Sequence, residues 1–457
     1  MIKKIHHKPS TSMNSLFTLL LFLLTGSGTF AQHTEWMAFQ KSGELIQVRG
    51  LGVDRNENVY SVGRFNGELR VGSSEAFLDT FATYGPWQQH VFTKHDPNGR
   101  LLFVSLIETR GGNSNMAFFR KMHVTSEGRM IVHVICKYHF YYVNSRLEET
   151  KLSSGYNHTS ILIIDNNGVL LEHVSVPIKD CTQITEDENG NIFILARTNY
   201  RNSDLSQQLF RIDYGLTSAV EVPFPKGNIN AIHCFDGKLW IATLDQYQKR
   251  GYYHSYNIGL FHSKLSDLQE FAEISKTEIG FSHFCKLQFV TEAKRLRLCL
   301  LSKASNEFTY NSTKLNVDKQ ETGLLVLNSK LELEDYTAFK GLKNDLSVIG
   351  LRNGSFILQF SVLDSVTIGG KTVQVYPRHR DFVYELVHVK LDPNLKFQWV
   401  VNGGGTATNY HVSEMVLNER ETQLYVGADL IDYGDLDCGY TEVDWSSSYY
   451  IRKVNLQ

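Results

Sequence analysis

The chain reads as an all-β protein built as a seven-bladed β-propeller, four antiparallel strands to a blade. Three observations predict this. A strand–turn–strand pattern recurs seven times, a second such pattern interleaves with it, and the two chain termini carry complementary halves of one unit.

The first pattern is a short strand, a polar turn, then a strand rich in aromatic and β-branched residues. It appears as LGVDRNENVYSVG (51–63), HVTSEGRMIVHVI (123–135), TQITEDENGNIFILA (182–196), NAIHCFDGKLWIAT (230–243), KLQFVTEAKRLRLCLL (286–301), SVIGLRNGSFILQF (347–360) and EMVLNERETQLYVG (414–427). The second pattern is an alternating strand, a turn and another alternating strand. It runs from VFTKHDPNGRLLFVSL (91–106) through SILIIDNNGVLLEHVSV (160–176), QLFRIDYGLTSAVEV (208–222), GLFHSKLSDLQEFAEI (259–274) and GLLVLNSKLELEDYTAF (323–339) to VHVKLDPNLKFQWVV (387–401). Its seventh copy, YYIRKVNLQ (449–457), stops at the turn, and HTEWMAFQ (33–40) has the composition of the missing strand. An N-terminal strand that joins the C-terminal blade closes the ring and removes exposed sheet edges. From Asp54 to Leu417 the period averages about 60 residues, which divides residues 32–457 into about seven units and a single domain. Six or eight blades and a two-domain β-sandwich are the competing architectures.

Residues 1–31 stand outside this count. Lys3, Lys4 and Lys8 precede the apolar run LFTLLLFLL (16–24), and small residues lead to Ala31. Basic region, short apolar core and small-residue cleavage site form a secretory signal peptide. The run is shorter than the roughly 20 residues that cross a bilayer, so the expected product is exported, to the periplasm or beyond, with no membrane span. The 457 residues carry a formal charge of −2; without the signal, 43 Lys and Arg face 48 Asp and Glu. A nucleic-acid partner is not expected of so mildly acidic a surface.

YSVGRFNGELRVG (60–72) followed by VFTKHDPNGRLLF (91–103) resembles the bacterial SBBP β-propeller repeat, and SVTIGGKTVQV (365–375) with FVYELVHVKLDPNLKFQWV (382–400) does so again. LYVGADLIDYGDLDCG (424–439) matches it loosely, and the middle blades have drifted from it. DGKLWIAT (236–243) is similar instead to propeller repeats in the ectodomains of bacterial two-component sensors. The resemblance implies an exported bacterial propeller whose motif residues are structural. It assigns no function.

The links between the two hairpins of each unit are long, and binding residues concentrate on loops held by a rigid scaffold. Two links are aromatic and bring in Tyr138, His139, Tyr141 and Tyr142, and Tyr252, Tyr253, His254 and Tyr256. Large side chains with polar tips suit a sugar or a protein partner; packing between blades is the competing reading. Asp429, Asp432, Asp435 and Asp437 lie in one Gly-containing link, where a structural Ca²⁺ would find oxygen ligands, though a polar turn is the favoured reading. No other cofactor is expected. The H-E-x-x-H, G-x-S-x-G and phosphate-loop motifs do not occur. The functional expectation is therefore a non-catalytic module that binds a protein or glycan through its long-link face. The alternative is a polysaccharide lyase or hydrolase with Tyr141 and His254 among its acid–base groups. Of six cysteines, Cys285 and Cys299 flank one predicted hairpin and form the nearest pair; the others are expected to be buried thiols.

Overall fold

In a computed structural model the described residues are 34–42, 45–66, 68–73, 77–82, 89–109, 117–136, 140–153, 158–176, 180–197, 207–215, 219–225, 227–250, 253–281, 283–292, 295–303, 308–311, 313–315, 321–342, 347–368, 370–374, 384–407, 414–430 and 448–456. The proposed signal peptide lies outside them. Strands dominate throughout, and each recurrent sequence unit folds as a four-stranded antiparallel meander. The first meander is Leu45–Val53, Val59–Asn66, Gln89–His95 and Leu101–Thr109. The second is Ala117–Val124, Met130–Cys136, His158–Ile164 and Leu170–Ser175. The third is Asp180–Glu186, Ile192–Arg197, Gln207–Ile212 and Ala219–Val222. The fourth is Ile229–Phe235, Lys238–Arg250, Tyr253–Lys264 and Asp267–Phe281. The fifth is His283–Glu292, Arg295–Lys303, Thr322–Leu327 and Leu333–Leu342. The sixth is Ser347–Gly350, Phe356–Ile368, Tyr384–Leu391 and Phe397–Ala407. In the last, Glu414–Leu417, Gln423–Leu430 and Ser448–Asn455 are followed in space by the N-terminal strand Thr34–Ser42, which pairs with Ser448–Asn455.

The core lies between meanders. Among the described residues, the apolar clusters are shared by consecutive units. Tyr60 and Phe92 meet Phe119 and Val132 between the first and second. Ile161 meets Ile194 between the second and third, and Phe193 meets Ile232 between the third and fourth. Leu260 meets Leu298, and Val326 meets Phe356 and Phe360, across the next two seams. Leu386 packs with Leu424 and Val454, and Val48 packs with Tyr425 and Ile451. Antiparallel four-stranded meanders, consecutive in sequence and packed face to face, are the architecture of a β-propeller.

The short turns share one construction. In Asp96–Arg100 the Asp96 carboxylate accepts the amides of Asn98 and Arg100, both at 2.9 Å, and Gly99 takes a φ of 83°. Asp165, Asp187 and Asp392 hold their turns in the same way. An Asx acceptor at the first position thus fixes the turn, with the fourth residue left-handed. Leucine occupies that fourth position at Leu147, Leu331 and Leu395, with φ of 64°, 57° and 57°.

One expectation is corrected. The links between hairpins are not plain loops where they are described. Phe140–Val143 and Glu149–Ser153 add two strands to the outer edge of the first meander through Leu101–Thr109. Phe308–Tyr310 and Thr313–Leu315 do the same to the fourth, and Glu68–Ser73 with Phe77–Ala82 to the last. Their alternating residues satisfy backbone groups that an outer edge leaves open. The register of the two nearest cysteines, which the sequence leaves open, is set by strand pairing. The Glu292–Arg295 pairing sets a register in which Cys285 faces Ser302 and Cys299 faces Gln288, and Cys299 is a free, buried thiol.

The turn construction yields a paired prediction. Leu147 is 73% exposed, whereas Leu331 is 3% exposed. Leu147→Gly relieves left-handed strain at little cost in burial and should raise stability by about 0.5–1 kcal/mol. Leu331→Gly removes a buried side chain worth about 1.5–3 kcal/mol and should lower it. Urea unfolding of both variants checks the opposite signs.

Candidate functional site

The two aromatic links do not come together. Tyr141 and Tyr142 lie on the strand added to the first meander, whereas Tyr253, His254 and Tyr256 lie on Tyr253–Lys264 in the fourth. Tyr138, His139 and Tyr252 fall outside the described residues.

In the first link, Tyr142 is buried and packs among Phe92, Phe103 and Leu162. Its hydroxyl donates to the Gly168 carbonyl at 2.8 Å and is bonded to the Ser105 hydroxyl at 2.9 Å. It thereby ties the first meander to a turn of the second. Tyr142 is a packing residue, and Tyr141, across from Glu108 and Lys151, is half-buried.

The second link extends a hairpin rather than forming a loop. Lys249 pairs with His254 and Arg250 with Tyr253, so the ladder of Lys238–Arg250 and Tyr253–Lys264 continues to its tip. On the other side His254 is opposite Phe281, and Tyr256 is opposite Ile279. Residues two apart share a face, as do directly opposed pairs. His254, Tyr256 and Phe281 therefore form one row. The His254 and Tyr256 rings stack at 6.1 Å and 20°, and the Tyr256 and Phe281 rings at 4.6 Å and 9°. Phe281 is fully buried in the cluster shared with the fifth meander, while His254 and Tyr256 are half-buried, as is Tyr141 in the first link. This row is a part of the sequence-predicted surface that keeps an accessible aromatic edge.

Asp432, Asp435 and Asp437 lie outside the described residues, and Asp429 sits on Gln423–Leu430 across from Tyr449. Among the described residues, no three His, Cys, Asp or Glu side chains gather as a metal site.

Several buried thiols and imidazoles are held in their neutral forms. Burial pushes the thiols of Cys181 and Cys299 up to about 12. Burial likewise pushes His95 down to about 4 and His388 down to about 3, with the Arg452 charge adding to the latter. His388 is hydrogen-bonded to Gln359 at 3.0 Å. A thiol that titrates that high is a poor nucleophile near neutrality, and an imidazole that titrates that low is a poor proton shuttle.

No family model matches the chain, and no curated protein matches it. Among solved structures, the chain is similar to the Dos1 propeller, with 8% identity and a TM-score of 0.42, covering 95% of this chain and 97% of that one. It is similar to the WD40 domain of SCAP from fission yeast, with 8% identity and a TM-score of 0.39, covering 91% of this chain and 97% of that one. An oligogalacturonate lyase in complex with manganese is similar at 8% identity and a TM-score of 0.39, covering 91% of this chain and 99% of that one. The architecture rests on the chain's own strand pairings and shared clusters, and nothing about ligand or activity follows from these three proteins.

Two outcomes follow from the buried groups. Tyr142→Phe leaves the Gly168 carbonyl and Ser105 hydroxyl short of a partner and should cost about 1–3 kcal/mol in a urea melt. His95 and His388 stay neutral in the fold but protonate near 6.5 when unfolded, so the unfolded chain takes up protons first as pH falls. Their contribution is intact above about pH 6.5 and is lost as pH drops toward 4, on the order of 2–3 kcal/mol for each histidine. Urea midpoints between pH 7.5 and 4.5 should fall already below 6.5; a plateau down to pH 5 contradicts the assignment.

Proposed function

We propose that this chain is an exported, non-catalytic propeller of seven blades, closed by its N-terminal strand, that binds a protein partner through the face carrying the inter-hairpin links. The charged, apolar and small-residue layout of residues 1–31 supports export. Closure is supported by how the links attach. The link at 140–153 extends the outer edge of the preceding first meander, and that at 308–315 extends the preceding fourth. The link at 68–82 extends Thr34–Ser42, the outer strand of the last meander. The last unit thus stands to the first as the first stands to the second. Val48 packing with Tyr425 and Ile451 supports the same reading.

The observation that carries a binding role is the contrast between core and surface chemistry. Burial holds Cys181, Cys299, His95 and His388 neutral, whereas the half-buried pair His254 and Tyr256 is seated on the buried Phe281 ring. A rigid aromatic edge with a polar tip is the composition of an interface anchor.

Two experiments test this. Gln40→Cys with Tyr449→Cys joins paired positions of the two terminal strands. In a closed ring it should oxidise to a bridge and raise stability by about 2–4 kcal/mol; failure to bridge in the folded protein argues against closure. For the partner, the immobilised protein and its Tyr256→Ala variant are exposed to envelope extract and to a glycan array. A protein retained at least tenfold better by the unaltered chain supports the reading. Equal retention, or binding confined to a glycan, overturns it.

A further inference from the structure

A second surface lies at the opposite end of the meanders, where the short turns gather. A cleft of about 260 Å³ opens between the fourth and fifth meanders, with Phe235, Trp240, Arg295, Leu296, Arg297 and Glu334 in its lining. Its apolar wall is fixed in place. The Trp240 indole N–H donates to the Phe235 carbonyl at 3.3 Å, and its ring meets His262 edge-on at 4.9 Å. Leu296 is buried beneath.

The polar side is also built. The Arg297 side chain is only 11% exposed and lies between Glu334 at 2.8 Å and Glu292 at 3.4 Å. These are the shortest contacts, both to Nε, whose own N–H is not aligned on either carboxylate. A guanidinium carries five N–H donors in a planar fork, so a group engaged on one side retains donors for a further acceptor. Arg295 is exposed at the mouth. The Lys238 ammonium stands 5.8 Å from the centre of the Trp240 ring. In the lining, Glu334 is paired with Arg297, as is Glu292 beside it, and Arg295 stands at the mouth.

We propose that this cleft seats an acidic side chain of a protein partner. Its carboxylate lies on Arg295 and the free donors of Arg297, and the apolar residue beside it lies against Phe235 and Trp240. Arginine favours carboxylates through paired, charge-assisted hydrogen bonds. The aromatic wall supplies apolar contact without further ordering, because its ring is already held. The site is independent of the His254 and Tyr256 row, which belongs to the link face.

The test uses the complete folded chain with ¹⁵N-labelled indoles, Trp240 being assigned through Trp240→Phe. The probes are acetyl-Phe-Glu-amide, acetyl-Phe-Gln-amide and glucuronate. The glutamate dipeptide should shift the Trp240 indole resonance saturably, with the glutamine dipeptide at least tenfold weaker. Arg295→Ser should weaken the glutamate dipeptide at least fivefold. Because Arg295 is exposed and the Arg297 ion bridge is kept, this variant should melt with the unaltered chain. Raising salt from about 20 to 300 mM should also weaken binding, as a largely exposed charge pair requires. Equal affinity for the two dipeptides, indifference to Arg295→Ser, or no saturable shift overturns the proposal. Glucuronate binding as well as the glutamate dipeptide overturns it in favour of an acidic sugar.

Discussion

The innermost strand of each meander has a neighbour on one side only, and its other edge presents backbone groups inside the protein. A buried N–H or C=O without a partner costs about as much as a lost hydrogen bond. Side chains from the adjacent meander meet this demand. The Gln183 amide donates to the Asn230 carbonyl at 2.6 Å and accepts from the Ile232 amide at 2.8 Å. Gln207 repeats the two-way bond at Ile229, donating to its carbonyl and accepting from its amide, both at 2.7 Å. Gln288 donates to the Val348 carbonyl at 2.6 Å, and the Phe119 amide donates to His90. A glutamine side chain is a peptide group on a short stem. Here it substitutes for the missing strand and joins consecutive meanders at their narrow end, while the apolar clusters join their faces.

The outer edges meet the same demand by a different route. At the first, fourth and last meanders the links double back as short strands, so residues that look like loop become ladder. This changes where chemistry is available. Tyr142 is consumed as a seam between the first and second meanders, with its hydroxyl on the Gly168 carbonyl. His254 and Tyr256 stay partly exposed on a hairpin that continues the fourth meander's own ladder rather than folding onto the preceding unit. Where faces and edges are engaged in this way, chemistry is left to hairpin tips and to clefts between meanders.

The sequence carried the strand–turn–strand units clearly, because Asp-x-Asn-Gly turns announce themselves and the flanking strands alternate or run apolar. The strand character of the links was hidden for a physical reason. A three- or four-residue strand such as Phe308–Tyr310 is stabilised by its partner on another unit, and nothing local to it marks the pairing. The cysteine register was hidden likewise. It depends on which residues flank the turn, and pairing Glu292 with Arg295 puts Cys285 opposite Ser302. Of the aromatic links, residue type alone gave no means of telling Tyr142, which is sealed, from Tyr256, which is not. The cleft beside Trp240 left no signal, because Arg295 and Arg297 on one strand meet Phe235 and Trp240 from another unit only after the two pack.

The turns explain why the repeat drifts in sequence and still keeps its register. The left-handed residue at the fourth position is normally the reason a turn requires glycine. In these turns the first residue does most of the holding: Asn328 accepts the amides of Lys330 and Glu332 at 2.8 and 2.9 Å, just as Asp165 accepts those of Asn167 and Val169. With the geometry imposed from the first position, the fourth can abandon glycine wherever its side chain gains something. Leu331 and Leu395 gain burial. Glu421 gains Arg352, whose amide and guanidinium it engages on the neighbouring sixth meander. Left-handed strain of about 1 kcal/mol is offset by contact with the next unit. Contacts at the seams thus replace the glycine at 331, 395 and 421 while the Asx acceptor remains at 328, 392 and 418, and the full Asp-x-Asn-Gly form stands at 96, 165 and 187.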